Sequence, residues 1–259
     1  MTLRQATREI IKLVEEISGI PVRVVEEPLL STTASVRMAR KGVIPNHLIL
    51  YKPEPGKPPD YQICFECAHI IRMFQNPPAK RFVLAGTEKG SEEIKQMITA
   101  PGGVASKLGL LKDKIIEMTS QYLEGLLVHL RFVPTGFRVS TWLSNNYPEL
   151  AMLEKKHVQN EIDINRQTLK IEIKNLTPPI IYLPAQYINA AYALYWAKRY
   201  NKPDWSNPYH LQNYEKDGQA LLDIYNQIPD NPTHDQELID AWGKYLDITD
   251  WYTWLPYES

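Results

Sequence analysis

The sequence predicts an α+β protein, with a small sheet in the N-terminal half and a mostly helical C-terminal half. The runs predicted as strands lie within residues 21–51, whereas helical spacing of apolar residues dominates after residue 105. With 259 residues, 44% of them hydrophobic, the chain can bury a large core as one large domain or two smaller ones. We therefore expect helices to form most of the mass.

A helix followed by three strands is predicted at the N-terminus. Apolar residues recur at helical spacing from Leu3 to Ile17, and Gly19 ends this helix. Alternating and β-branched residues then predict strands over residues 21–25, 31–40 and 47–51. We expect these to form a sheet of about three strands, within the usual range for small sheets.

Further helices are predicted from capping residues and apolar spacing. A proline-rich loop over residues 52–59 precedes Asp60, which is expected to cap the next helix, and Ser91 is expected to cap a shorter one. Pro134 and Gly136 are expected to stop a long helix. Residues 169–174 fit either a strand or a helix. The predicted helices after the loop cover residues 60–76, 91–99, 105–130, 186–200, 209–228 and 234–246.

The helix that begins at Asp60 carries the pattern on which the functional argument depends. Its centre reads Phe65-Glu66-Cys67-Ala68-His69. In the zinc-peptidase signature H-E-x-x-H, two histidines at i and i+4 share one helical face and hold zinc, and the glutamate is the general base. Here Glu66 and His69 match the signature. Phe65 replaces the first histidine and cannot bind a metal.

Together with its flanking elements, this pattern resembles the ImmA/IrrE family of zinc-peptidase-like proteins, over about residues 3–134. The resemblance rests on three features. The strand at residues 47–51 and a loop lead into the signature helix, a later helix carries a glutamate, and residues 124–134 end in a proline as in that family.

The resemblance implies a compact zincin-like, metallopeptidase-like domain over residues 1–134. Residues 135–259 are then predicted to form a helical extension packed on that domain. In such a domain the second helix supplies the third zinc ligand, a carboxylate, and Glu124 is the best match to it. Glu117 lies seven residues earlier on the same helical face.

Each candidate residue also has a structural explanation. His69 is either a metal ligand or a buried histidine bonded to a backbone carbonyl. Glu66 lies on a mostly apolar helix, where a buried carboxylate needs a functional cleft or a partner such as an arginine. Glu124, taken alone, fits a solvated glutamate. Cys64 and Cys67 fit two core residues best: no other cysteine exists to complete a zinc site, and a redox pair normally opens a helix, whereas this pair lies inside one.

Composition limits the partners. The chain has 29 basic and 30 acidic residues, and this balance gives no reason to expect nucleic-acid binding. The sequence contains no apolar run long enough to predict a membrane span. The lack of a signal-peptide core and the presence of only two cysteines predict a cytoplasmic protein. The aromatic C-terminal residues are expected to close over the protein's own core: Trp242, Trp251, Tyr252, Trp254 and Tyr257.

Two functions follow from these residues. In the first, Phe65 fills the coordination space, so the protein is a catalytically impaired zinc-peptidase-like module that carries no cofactor and binds a peptide, a protein or a regulatory ligand. In the second, it is a metal-dependent hydrolase that binds zinc through an altered ligand set and uses Glu66 as general base. That set would be His69, Glu124 and a residue such as His47 or His129.

Overall fold

The computed structural model describes residues 3–30, 32–53 and 59–258. It is an α+β structure in which helices predominate, as the sequence predicts. Contacts divide the chain into two compact units. Unit 1 comprises Met1–Val83, Thr135–Gln159 and Pro256–Ser259, and unit 2 comprises Leu84–Pro134 and Asn160–Leu255. The predicted boundary after residue 134 is thus one of several points at which the chain passes between units.

Unit 1 contains the predicted three-stranded sheet. Its first elements are α1 (Gln5–Ser18), β1 (Val22–Glu26), β2 (Ala34–Arg37), β3 (His47–Tyr51) and α2 (Asp60–Phe74). The strand order is β1-β3-β2, with β1 parallel and β2 antiparallel to β3. Gly19 adopts the left-handed conformation that ends α1, as predicted. Residues 54–58 of the predicted proline-rich loop lie outside the described residues.

The core of unit 1 forms where α2 packs against α1 and the sheet, and it includes fully buried Ile10, Ile49 and Ile63. The prediction that Asp60 caps its own helix is wrong. Its Oδ1 instead accepts hydrogen bonds from the backbone N–H of Arg4 (2.8 Å) and the hydroxyl of Thr7 (2.6 Å). This buried carboxylate therefore joins the start of α2 to α1.

The next elements begin with an unpredicted strand, β4 (Phe82–Gly86), followed by α3 (Glu88–Thr99), α4 (Val104–Leu108) and α5 (Lys112–Asn146). Thr87, and not Ser91, caps α3, because its side-chain oxygen accepts a hydrogen bond from the N–H of Gly90 at 3.2 Å. The helix cap therefore lies four residues before Ser91.

The prediction that Pro134 and Gly136 stop a helix is also wrong, because α5 continues through both. An internal proline costs a helix about 3 kcal/mol through its missing N–H and its steric clash. Residues 134–140 are all buried, and the burial of each large apolar side chain contributes about 1.5–3 kcal/mol. Burial of the helix at and after Pro134 therefore offsets the local preference to end the helix.

The remaining elements are helical up to a final strand: α6 (Ala151–Gln167), α7 (Ile171–Leu176), α8 (Pro179–Tyr200), α9 (Asn207–Leu211), α10 (Glu215–Gln227), α11 (Asp235–Tyr245) and β5 (Tyr252–Pro256). The ambiguous segment 169–174 falls largely in α7. The single helix predicted over 209–228 is divided, because Asn213 has a positive φ of 61°.

The C-terminal aromatic residues are mostly buried, as predicted; Trp242 is fully buried, and Trp251, Tyr252 and Tyr257 are at most 8% exposed. The strand β5 that carries some of them was not predicted, and it pairs with β4 in a two-stranded sheet. Within the described ranges, no helix combines the length and the apolar character needed to cross a membrane.

Candidate functional site

Helix α2 in unit 1 presents the signature residues. Phe65 and His69 lie one turn apart, so their rings share a face of the helix. The ring centroids are 4.7 Å apart, and the rings meet edge to face. Glu66 is next to Phe65 in the sequence and is 8% exposed.

Two further side chains of unit 1 join this face. Tyr61 lies one turn before Phe65, with ring centroids 6.0 Å apart, and His157 comes from α6. The His157 ring lies 5.3 Å from that of Tyr61 and 6.3 Å from that of Phe65. We call Tyr61, Phe65, His69 and His157 the aromatic cluster.

The second part of α5 packs onto the aromatic cluster. A Cβ atom added to Gly136 would lie 3.0 Å from Cζ of Phe65, so glycine allows the helix backbone to approach the ring closely. One turn further on, the hydroxyls of Ser140 and Tyr61 are hydrogen-bonded at 2.9 Å. The Phe65 ring is therefore packed by α5 as well as by its neighbours on α2.

His157 was not singled out from the sequence as a site residue. Burial lowers its pKa to about 4, so the imidazole is neutral at pH 7, and its Nδ1 has no hydrogen-bond partner among the described residues. A neutral imidazole nitrogen is a metal donor. No local pattern could have indicated this position, because His157 is 92 residues beyond Phe65 in the sequence.

His47, one of the alternative ligands proposed from the sequence, is a core residue of β3. Its Nδ1 accepts a hydrogen bond from the backbone N–H of Ala39 at 3.2 Å, and its ring packs edge-on against Phe74 at 5.4 Å. Burial lowers its pKa to about 4. Metal binding through Nδ1 would break the bond to Ala39.

The other predicted ligands belong to unit 2. Glu124 is an exposed residue of α5, and His129 follows on the same helix with a pKa that burial lowers. The convergence of Glu124 with Glu66 and His69 stays a prediction. In the part of the chain that the structure describes, no three histidine, cysteine, aspartate or glutamate side chains are grouped so that they could hold a metal ion.

The two cysteines are free and buried in the core of unit 1, as the sequence predicts. Burial raises the pKa of Cys64 to about 12, and it also raises the pKa of Cys67. A reactive or metal-binding cysteine needs a stable thiolate. These residues therefore serve packing and not chemistry.

Unit 2 contains an open groove of about 370 Å³ between β4 and the first part of α5. Glu124 is one of its lining residues, and most of the others are apolar. Val128, also on α5, is 44% exposed there. Its charged lining residues are Glu124 and Arg131, and its large apolar ones are Leu84, Leu123, Leu127, Val128 and Phe132.

No family model, curated protein or solved structure matches this chain. The resemblance to zinc-peptidase-like proteins therefore depends on the degenerate signature and on the order of elements around it. Two features of the structure are candidates for a function: the aromatic cluster on the signature helix and the open groove in unit 2.

Proposed function

We propose that the protein is a catalytically impaired zinc-peptidase-like protein that acts as a binding module for a peptide, a protein or a regulatory ligand. The observation that carries this proposal is the packing of Phe65. Its ring lies edge-on against His69 at 4.7 Å, at the position where the signature has its first zinc ligand. A phenyl ring offers no lone pair for coordination.

The surroundings of Phe65 support the same function. Catalytic zinc sites have three protein ligands and an open position for water. On this face of α2, the Tyr61 and His157 rings and the backbone at Gly136 pack against the partly buried Phe65 ring instead. Displacing the ring would expose apolar surface and disrupt these contacts, at a cost below the value of about 1.5–3 kcal/mol for a fully buried large side chain.

Zinc titration tests this proposal. Full-length protein, freed of metal by a chelator, is titrated with zinc in competition with a chromogenic chelator. We expect negligible affinity for the natural sequence and one bound zinc for Phe65→His, which restores the i, i+4 pair. Phe65→Leu is the matched control, because it removes the ring without adding a ligand.

The same titration also identifies the competing function. Stoichiometric, tightly bound zinc in the natural sequence, together with zinc-dependent hydrolysis of a casein substrate, would contradict the proposal and favour the metal-dependent hydrolase. Equal and negligible zinc affinity in the natural sequence and in Phe65→His would instead show that the zincin-like ligand geometry is absent.

A further inference from the structure

Tyr257, which follows β5 and belongs to unit 1, is held there by three contacts. Its hydroxyl donates to the carbonyl of Ala39 at 2.6 Å, and its N–H donates to the carbonyl of Arg81 at 2.9 Å. Its ring meets that of Phe74 edge to face, with centroids 5.6 Å apart. Tyr257 is 8% exposed and is part of the core of unit 1.

Ala39 connects this tyrosine to a buried histidine. Its carbonyl accepts the Tyr257 hydroxyl, and its N–H donates to Nδ1 of His47 at 3.2 Å. Ala39 is 4% exposed and lies in the connection between β2 and β3, outside both strands. We call Ala39, His47 and Tyr257 the latch.

The hydrogen bond from Ala39 fixes the protonation state of His47. Because Nδ1 accepts this bond, the single proton of the neutral ring lies on Nε2. His47 is fully buried, and its Nε2 has no hydrogen-bond partner among the described residues. A second proton on Nδ1 would point at the N–H of Ala39, so two donors would face each other. The bond therefore exists only while His47 is neutral.

The sheet and α2 enclose His47 with side chains that do not titrate. His47 pairs with Val22 on β1, and its ring packs against Phe74 on α2. Arg23 of β1 and Arg37 of β2 pair with the next residue of β3, so their side chains lie on the opposite face of the sheet. Burial lowers the pKa of His47 to about 4.

The charged and titratable groups of this region lie on the remaining side, around the latch. They are Tyr257, whose pKa burial raises, and Arg40 and Arg81, whose positive charges act on Tyr257. A protonated His47 gains no ion pair from these groups. Its charge therefore needs contact with water, because an unpaired charge is costly to bury.

We infer that protonation of His47 opens the latch and releases Tyr257 from unit 1. The neighbours of His47 on three sides are regular strands and a helix, whereas Ala39 lies in a connection that can move more easily. Moving Ala39 to admit water removes the acceptor of the Tyr257 hydroxyl. The latch is thus a pH-sensitive contact. This inference goes beyond the proposed binding function and does not depend on the metal state of α2.

Linkage allows the latch to be tested from the tyrosine. If protonation of His47 weakens the contacts of Tyr257, then weakening those contacts must favour protonation by the same factor. Tyr257→Phe keeps the ring and removes only the bond to Ala39. We expect about fivefold higher proton affinity at His47, and hence a raised pKa, in an NMR titration of its imidazole. A tyrosine that only packs would leave this pKa unchanged.

Hydrogen exchange of the full-length protein measures the release itself. The amides of Ala39 and Tyr257 both donate hydrogen bonds that the open latch lacks. After correction for the intrinsic effect of pH on exchange, we expect their protection to fall about tenfold or more between pH 7 and pH 4.5. The amide of Ile70, in the core of α2, should lose much less protection because it reports on unfolding of the whole unit.

Two variants of buried histidines provide the controls. His47→Asn keeps an oxygen that can accept the N–H of Ala39 but cannot gain a proton, so protection at Ala39 and Tyr257 should no longer fall with pH. His157→Gln removes the other histidine of unit 1 whose pKa burial lowers to about 4, and it should retain the loss of protection. If His47→Asn does not fold, the Tyr257→Phe titration remains as the test.

Four results would overturn the inference. They are an unchanged pKa of His47 in Tyr257→Phe, full protection of Tyr257 after His47 has gained its proton, an equal loss of protection in His47→Asn, and a parallel loss at Ile70. The last result, together with loss of helical circular dichroism, would mean that unit 1 unfolds as a whole. The zinc titration of the Phe65 variants is made at pH 7, so failure of either proposal can be recognised separately.

Discussion

The aromatic cluster of unit 1 and the groove of unit 2 represent opposite uses of a helix surface. In the aromatic cluster, Phe65 is packed by neighbouring rings and by the backbone at Gly136. In the groove, Glu124 and Val128 of α5 are exposed, and β4 lines the other side. One surface is largely packed by side chains, and the other is open.

The difference shows that a recognisable motif and an available surface need not coincide. The degenerate signature draws attention to α2, yet at Phe65 that helix presents a packed ring. The groove has no sequence signature, because its lining comes from a strand and a helix that only tertiary packing brings together. Variants that open the cluster or close the groove test this contrast directly.

The largest effect is expected from opening the aromatic cluster. Phe65→Ala removes a ring that contacts Tyr61, His69 and His157, and it should lower the free energy of unfolding by about 2–3 kcal/mol through lost burial and cavity formation. Val128→Ala in the groove should change it by no more than about 0.5 kcal/mol. Urea denaturation measures both. Equal losses would mean that the two surfaces are packed alike.

A smaller effect is expected from pH, again in unit 1. Burial lowers the pKa of His157 to about 4, below its ordinary value of 6.5. Between these values the unfolded chain binds more protons than the folded protein, so stability is lost as pH falls from 6.5 towards 4. His157→Gln cannot gain a proton, and it should reduce the difference in unfolding free energy between pH 7 and pH 4.5 by about 1–2 kcal/mol.

A second buried histidine provides the comparison for that measurement. His47 also has a pKa that burial lowers to about 4, and its Nδ1 already accepts the N–H of Ala39. His47 should therefore contribute to the pH dependence of the unfolding free energy in the His157→Gln variant as it does in the natural sequence. If His157→Gln has the same pH dependence as the natural sequence, His157 is protonated without cost in the folded protein.

Only part of this fold could be predicted from the sequence. The strand at residues 47–51 was predicted with its observed bounds, because a short apolar run flanked by turn residues is a local signal. The helix through Pro134 was missed because proline is a local breaker, whereas the burial that offsets it depends on tertiary packing.

The missed strands and the missed histidine have the same cause. β4 and β5 are paired although Thr87 and Trp251 are 164 residues apart, so neither short segment reveals its partner. His157 belongs to α6, and no sequence pattern links that helix to the signature on α2. The pattern at residues 65–69 could be recognised in the sequence, whereas the packing around Phe65 depends on tertiary contacts.

Zinc binding in a Phe65→His background can decide which residue completes an engineered site. His157 lies 6.3 Å from Phe65 in the aromatic cluster, whereas the resemblance assigns the third ligand to Glu124. We expect His157→Ala to weaken zinc binding by the Phe65→His protein about tenfold or more, and Glu124→Ala to have little effect. The opposite ranking would favour the ligand set inferred from the resemblance.

The smallest effect separates two glycines of the same helix. Gly125 has nothing within 4 Å of an added Cβ, so Gly125→Ala should raise the free energy of unfolding by about 0.5–1 kcal/mol through helix propensity. Gly136→Ala gains the same propensity but places its Cβ 3.0 Å from Phe65 Cζ, so the ring must move. We expect a net loss of about 0.5–1 kcal/mol, within the range for mild overpacking.

A double variant assigns that loss to the ring. Phe65→Leu shortens the side chain that Gly136 faces, so Gly136→Ala should become neutral or stabilising in the Phe65→Leu background, as it is at Gly125. The four unfolding free energies of this cycle give the coupling between positions 65 and 136 directly. A coupling of zero would mean that the backbone at Gly136 does not constrain Phe65, and that the aromatic cluster is held closed by its side chains alone.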